Sequence, residues 1–367
     1  LHDLKILLIL HIAPHYSGFW TNLQARGRLV SGAGMWYRIE NGTGGRNVME
    51  RINVWVKAPC DARVRQLLEA RCGAVCRFRF ARGADFPECD TEVILGEPDR
   101  AEVLAARNLR WIQLTWAGAD RYAQNRDVLE NITVTNASGA FGTVIAEYVL
   151  GALVCLYRRF PQYWESQRQH RWAPLGAAGT IFGKRALVLG TGDLGRNVAR
   201  RLRAFGASVD GVRRSETGAP VEGFDRVCGL SQLDVLLPQA DIVAGCLPGT
   251  AQTAGLLSRA RLRSMKPDAV LVNVGRGSLV DTDELVQVLK SGHLRGAALD
   301  VLSEEPLPEG SALWDLENVL LTPHIAGPSF GENRDVQDAI WAICLQNLER
   351  YTAGRPLTNV VDLAKGY

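Results

Sequence analysis

The stretch RALVLGTGDLGRNVARRLRAFG at residues 185–206 constrains the fold of this chain more than any other. Four apolar residues in a row, ALVL, read as a strand buried on both faces, the usual look of a strand inside a parallel sheet. Gly190, Gly192 and Gly195 follow at G-x-G-x-x-G spacing, and Leu194, Val198, Leu202 and Phe205 then recur at helical spacing until Gly206 supplies a stop. Strand, glycine turn and helix in this order form the opening of a nucleotide-binding α/β sheet. The glycines have a chemical reason. A side chain at Gly192 would block a pyrophosphate, and the helix start offers unpaired N–H groups and the positive end of the helix dipole.

The same alternation runs along most of the chain. From Ile52 it passes through INVWV, DARVRQLLEARC, AVCRFRF, TEVILG, RAEVLAAR, LRWIQLTWAG and NITVTNAS. A second series from Lys184 runs through RALVLG, DLGRNVARRLRAFG, ASVDGV, LDVLLPQ, ADIVAGCLP, AVLVNVG, DTDELVQVLKSG, AALDV and NVLLTPHI. Such alternation implies βαβ units and parallel sheets, and 367 residues are enough for two domains with cores of their own. The expected fold class is therefore α/β, with two doubly wound parallel-sheet domains. Between the series, Val144, Ile145, Val149, Leu153 and Leu156 mark residues 142–160 as a helix with a wide buried face. The stretch PQYWESQRQHRWAP after it is expected to be an extended arm. Residues 1–48 are Gly-rich, dotted with aromatics and without a sustained period, whereas MERINVWV opens directly into a strand. They are expected to be a leader or extension outside the fold, a genuine N-terminal arm being the alternative.

Composition removes several classes of function. A net charge of +3 with scattered basic residues is not the electrostatic footprint of a nucleic-acid binder. The longest early apolar run, ILLIL, is far short of the about 20 residues of a membrane span. The eight cysteines include Cys72 and Cys76 at C-x3-C spacing, but no paired C-x2-C sets or Cys/His clusters at zinc spacing. No metal is expected, and the thiols read as reduced in a cytoplasmic protein.

Residues 270–279, VLVNVGRGSL, place Arg276 between two glycines just past an apolar run. That puts it at the carboxyl edge of a sheet, where open α/β sheets bind ligands; taken alone, a solvated turn arginine fits as well. Two more polar residues follow apolar strands: Glu305, after Asp300 in ALDVLSEEPLP, and His324 in LLTPHIAG. At the end of ASVDGVRRS, where an acid usually holds the adenine ribose, stand Arg213, Arg214 and Ser215. Guanidinium groups there would fork onto a 2′-phosphate and favour NADPH over NADH. The alternative is that they only solvate the strand end and NADH is used.

In their order GTGDLGR, ADIVAGCLPGTAQT, VNVGRGSLVD, ALDVLSEEPLP and TPHIAG, these stretches resemble the D-isomer specific 2-hydroxyacid dehydrogenase family, and glyoxylate/hydroxypyruvate reductases within it, from about Met49 to Tyr367. The resemblance implies two Rossmann-like domains with the active-site cleft between them. Residues 49–141 plus 323–367 would form the substrate domain and residues 142–322 the dinucleotide-binding domain. The cofactor would be held by the glycine turn through Gly190, Gly192, Asp193, Leu194 and Gly195, and by the next strand end through Arg213, Arg214 and Ser215. Loops beyond further strands would add Leu247, Pro248 and Thr253, then Val274 and Gly275, then Gly327, with Asp300 toward the nicotinamide.

The residue types fit reduction of a 2-keto acid. Arg276 would hold the substrate carboxylate and polarise the keto oxygen, and His324 would give the proton. Glu305, matched over its neighbour Glu304 by spacing from Asp300, would bond the far nitrogen of His324 and fix its tautomer. The loop LTWAGADRY resembles one whose backbone N–H groups hold a carboxylate, here at Ala117 and Gly118. The glycines beside Arg276 are expected to let the chain turn sharply and approach the nicotinamide. The implied substrate is glyoxylate, hydroxypyruvate or a similar acid, with larger aromatic or branched keto acids and phosphorylated hydroxyacids left open. The helix at residues 142–160 and its arm resemble the family's dimer contacts, so the resemblance implies a homodimer, and a cofactor-sensing binding protein on the same fold is the alternative to an enzyme.

Overall fold

The computed structural model describes residues 51–215 and 218–367, and before them the backbone of residues 29–32 and 35–38. The chain divides into two units, Leu1–Glu50 and Arg51–Tyr367. In the first, β1 (Leu29–Gly32) and β2 (Met35–Arg38) pair antiparallel, a hairpin in a stretch with no sustained period. The rest of the expected leader lies outside the described residues.

The second unit begins with β3 (Ile52–Val56), α1 (Ala62–Cys72), β4 (Cys76–Phe80), β5 (Val93–Leu95), α2 (Arg100–Ala105), β6 (Trp111–Gln113), α3 (Asp120–Gln124) and β7 (Thr133–Thr135). The strands form one parallel sheet in the order β4-β3-β5-β6-β7. Local caps set the helix starts: Asp61 accepts from Val64 N at 2.8 Å, and Asp99 forms a reciprocal capping box with Glu102. Two helices follow, α4 (Gly142–Arg158) and α5 (Phe160–Arg168). The expected extended arm is thus partly helical. Arg159 ends α4 in the left-handed region, and Pro161 restarts a helix in its first turn, where a missing N–H costs nothing.

The second series is β8 (Arg185–Leu189), α6 (Asp193–Ala204), β9 (Ser208–Arg213), β10 (Arg226–Gly229), α7 (Leu233–Leu236), β11 (Ile242–Gly245), α8 (Arg259–Ser264), β12 (Val270–Asn273), α9 (Thr282–Lys290), β13 (Gly296–Leu299), β14 (Val319–Leu321) and α10 (Arg334–Thr352). Its strands make a parallel sheet in the order β10-β9-β8-β11-β12-β13-β14. The order reverses between β8 and β11, so the crevice a ligand would use opens at their carboxyl ends. Strand period sorts the core into two layers: Leu187 and Leu271 face Leu262, Leu285 and Leu289, whereas Val188 and Val272 face Val149, Leu153, Val198 and Leu202. Phe205, expected on the buried face of α6, is 48% exposed, because the helix ends at Ala204 and Gly206 turns the chain away at φ +83°. LDVLLPQ folds into short helical turns around α7, and β10 comes from DRVCG, too short and polar to announce a strand.

Although α10 closes the second series, it packs on the first sheet, where Ile340, Trp341 and Leu348 join Val54, Val56 and Leu68 in one core. A buried polar chain fixes its register. Asn347 Nδ2 donates to Gln113 Oε1 at 2.8 Å, Thr135 Oγ1 donates to the same oxygen at 2.8 Å, and Trp111 Nε1 donates to Thr135 Oγ1 at 2.9 Å. Among the described residues, no helix is long and apolar enough to cross a membrane.

Candidate active site

The glycine turn lies in the crevice between β8 and β11, and each glycine there has a separate cause. Gly190 adopts φ +109°, and a Cβ on it would stand 2.7 Å from Cys246 O on the loop after β11. A Cβ on Gly195 would overlap Gly190 O, so the third glycine lets α6 pack onto the strand. A Cβ on Gly192 would meet nothing. Gly192 is also the N-cap of α6 and supplies no side-chain cap, which leaves the first-turn N–H groups and the positive helix end for an anion. This cradle fits a dinucleotide pyrophosphate on the structure's own terms. Asp193 starts α6, its carboxylate accepting from Asn197 Nδ2 at 3.2 Å, with half-buried Leu194 beside it. At the end of β9, Arg213 is half-buried while Arg214 and Ser215 are exposed.

Arg276 stands three residues past β12, in a turn held by a buried asparagine. Asn273 Nδ2 donates to Arg276 O at 2.9 Å, and Asn273 Oδ1 accepts from Gly275 N at 3.3 Å. The flanking glycines were expected to permit a sharp turn. Instead neither has a positive φ, and both are required by close packing. A Cβ on Gly275 would sit 2.6 Å from Leu247 O, and one on Gly277 would overlap the main chain of Leu302. The guanidinium points toward the other sheet: Nε donates to Asp120 Oδ2 at 2.7 Å and Nη1 to Gly275 O at 2.8 Å. A Cβ on Gly118 would overlap Nη2, so Gly118 and Arg276 face each other directly. In the same loop Ala117 O accepts from Asn136 Nδ2 at 2.8 Å. Among the described residues, the Ala117 and Gly118 N–H groups make no hydrogen bond within the protein.

Glu305 and His324 meet across the next two strand ends. His324 Nδ1 lies 3.0 Å from Glu305 Oε2, while Glu305 Oε1 accepts from Leu302 N at 2.8 Å. Because Leu302 packs on Gly277, the Arg276 and Glu305 loops form one block. His324 sits at φ +57°, an unfavourable conformation for a residue with a Cβ, and half of its side chain is exposed. Asp300 holds that turn: its carbonyl accepts from His324 N at 2.9 Å, and its buried carboxylate accepts from Ile325 N, Ala326 N and Thr322 Oγ1 at 2.8, 3.0 and 2.7 Å. Tyr148 of α4 hydrogen-bonds Thr322 Oγ1 at 2.6 Å, and burial pushes its hydroxyl up to about 12, so it remains a donor at neutral pH.

The remaining expected cofactor residues line the same edge. Thr253 is buried and bonds Pro248 O at 2.7 Å, bracing the loop after β11 that carries Leu247. Val274 is buried after β12, and a Cβ on Gly327 would stand 3.1 Å from Ile145 Cδ1. The sequence reading missed Asp120, Asn273 and Glu97. Glu97 follows β5 and accepts from Thr115 N at 2.6 Å, from Thr115 Oγ1 at 2.9 Å and from Trp116 N at 3.2 Å, so it props the loop of Ala117 and Gly118. A polar residue just past an apolar strand, the signal that singled out Arg276, applies equally to Glu97 in TEVILGEPD.

Residues 150–326 match the family model of the D-isomer specific 2-hydroxyacid dehydrogenase NAD-binding domain. The chain is 31% identical over 287 residues to a glyoxylate reductase of Korarchaeum cryptofilum, covering 75% of this chain and 83% of that one. It is 36% identical over 255 residues to a D-3-phosphoglycerate dehydrogenase of Mycobacterium bovis, covering 69% of this chain but only 48% of that one, about half its length. Among solved structures, a D-isomer specific 2-hydroxyacid dehydrogenase from Xanthobacter autotrophicus Py2 in complex with NADPH and MES superposes with a TM-score of 0.73 at 31% identity, covering 86% of this chain and 99% of that one.

Proposed function

Because this chain belongs to the D-isomer specific 2-hydroxyacid dehydrogenase family, and is with it an NAD(P)-dependent oxidoreductase, we propose that it reduces a small 2-keto acid such as glyoxylate or hydroxypyruvate with NADPH in the cytoplasm. The observation that carries this reading is the Glu305–His324 contact on the strand ends next to Arg276. Glu305 accepts the hydrogen bond of the His324 Nδ1–H, which orients the imidazolium and leaves its Nε2–H as the proton given to the growing alkoxide. Arg276 spends one N–H on Asp120 and one on Gly275, and its remaining donors fork onto the substrate carboxylate and keto oxygen, with the Ala117 and Gly118 N–H groups opposite. When bound, the reduced nicotinamide supplies the hydride to C2. The lobe of residues 142–322 holds the cofactor and residues 49–141 with 323–367 hold the substrate. NADPH is preferred through Arg213, Arg214 and Ser215. Exposed Phe160, Tyr163 and Trp164 on α5, with fully exposed Trp172 after it, support a homodimer through this face.

The test is turnover. Mixing the protein with NADPH and a panel of 2-keto acids is expected to consume the near-ultraviolet absorbance of the reduced cofactor; binding without consumption would instead mark a cofactor sensor. Arg213→Asp is expected to move preference from NADPH toward NADH, and an unchanged ratio would remove the arginine from cofactor choice.

A further inference from the structure

A segment carried by the first sheet reaches the arginines at the end of β9. Residues 359–361 hang on β7: Asn136 N donates to Asn359 O at 3.1 Å, Val361 N donates to Val134 O at 2.8 Å, and Val360 bridges antiparallel to Thr135. The chain then turns on Asp362, whose N–H donates to Tyr367 O at 3.1 Å and whose carbonyl accepts from Gly366 N at 2.8 Å. This turn lays Gly366 between the sheets, where a Cβ would be 3.9 Å from Ala123 Cβ and 3.7 Å from Thr250 Cγ2. Tyr367 ends up beneath Arg214, its ring centroid 5.6 Å from the guanidinium carbon. Tyr367 is 42% exposed, so it is not core packing that places it there.

We propose that Tyr367 is a positioning residue for cofactor choice, holding Arg214 so that its hydrogen-bonding edge faces the 2′-phosphate of NADPH. An aromatic ring engages the flat face of a guanidinium and leaves the in-plane N–H fork free, and that fork is the part that binds phosphate. Arg214 otherwise stands exposed on a loop, and ordering it beforehand reduces the entropy lost when the phosphate binds. The segment is anchored to β7, so the first sheet takes part in selecting a cofactor held by the second. The inference rests on the NADPH reading above.

In the full chain, Tyr367→Ala is expected to weaken NADPH binding about two- to fivefold, the worth of an exposed cation–π contact. The readout is titration of the bound reduced nicotinamide's fluorescence. NADH binding should stay unchanged, and Tyr367→Phe, which keeps the ring, should match the wild type. Equal losses for both cofactors would mean that the segment merely shapes the cleft and would overturn the proposal, as would no loss for either. Arg214→Ala separates the two levels. If the wild type binds NADH as tightly as NADPH, the NADPH reading fails; if Arg214→Ala leaves a wild-type preference for NADPH unchanged, or shifts it while Tyr367→Ala does not, only the role of Tyr367 fails.

Discussion

At the residue scale the site rests on a few atoms that could hardly be exchanged. His324 occupies a left-handed backbone conformation that Asp300 holds with both its carbonyl and its carboxylate. Such strain persists only where the surroundings over-determine it. His324→Ala is expected to lower kcat about 10²- to 10⁴-fold with the fold intact, the usual worth of a positioned acid; a rate near wild type would remove it from the chemistry. Gly118→Ala makes a different prediction. The new methyl would overlap Arg276 Nη2, so KM for the keto acid should rise much more than kcat falls, in a protein of unchanged circular dichroism. Arg276, Glu305 and His324 were legible from their order past three apolar strands, and Glu305 over Glu304 from the family resemblance, not from any one of them alone. Asp120 was not, because its partner lies 156 residues away and only tertiary folding brings the two together.

At the scale of elements, two props decide whether the loops hold their shape. Asn347 bonds Gln113 and accepts from both Thr358 N and its hydroxyl, joining α10 to the first sheet. Asn347→Ala leaves these groups unpaired in the interior and is expected to cost at least about 1–3 kcal/mol in denaturant unfolding. Glu97 supports the loop after β6, and burial pushes its carboxyl above the usual range, partly countered by the Thr115 and Trp116 hydrogen bonds and by Arg121. A carboxyl raised in the folded state binds more protons than the unfolded chain, so its contribution is favourable at low pH and is lost as pH rises out of the ordinary glutamate range through the raised value. Glu97→Gln cannot ionise, and its Tm relative to wild type should climb as the pH is taken from acid to neutral. The long, strongly periodic elements, α4 and α6 with the apolar central strands of the second sheet, were legible from their spacing. Those that escaped were short: β10 has two apolar residues in four, and α5 carries Pro161 in its first turn, which reads as a breaker until Arg159 is seen to end the preceding helix.

At the scale of the whole molecule, the unit Arg51–Tyr367 carries two sheets with their own cores. A chain starting at Met49 is expected to fold and turn over like the full one, and an insoluble product would show that the earlier residues contribute to folding. The Arg276–Asp120 pair joins the sheets across the cleft, with about a third of each side chain exposed, so screening keeps it weak enough to open. The three strands that present Arg276, Glu305 and His324 are β12, β13 and β14, neighbours in one sheet. Neighbouring strands lie about 4.8 Å apart. The spacing of the Arg276, Glu305 and His324 loops is therefore inherited from the hydrogen-bonded ladder, as the marks on a ruler are fixed by the ruler. Loop substitutions can change what else fits in the cleft, but the spacing of the points from which these three side chains start is set by the backbone.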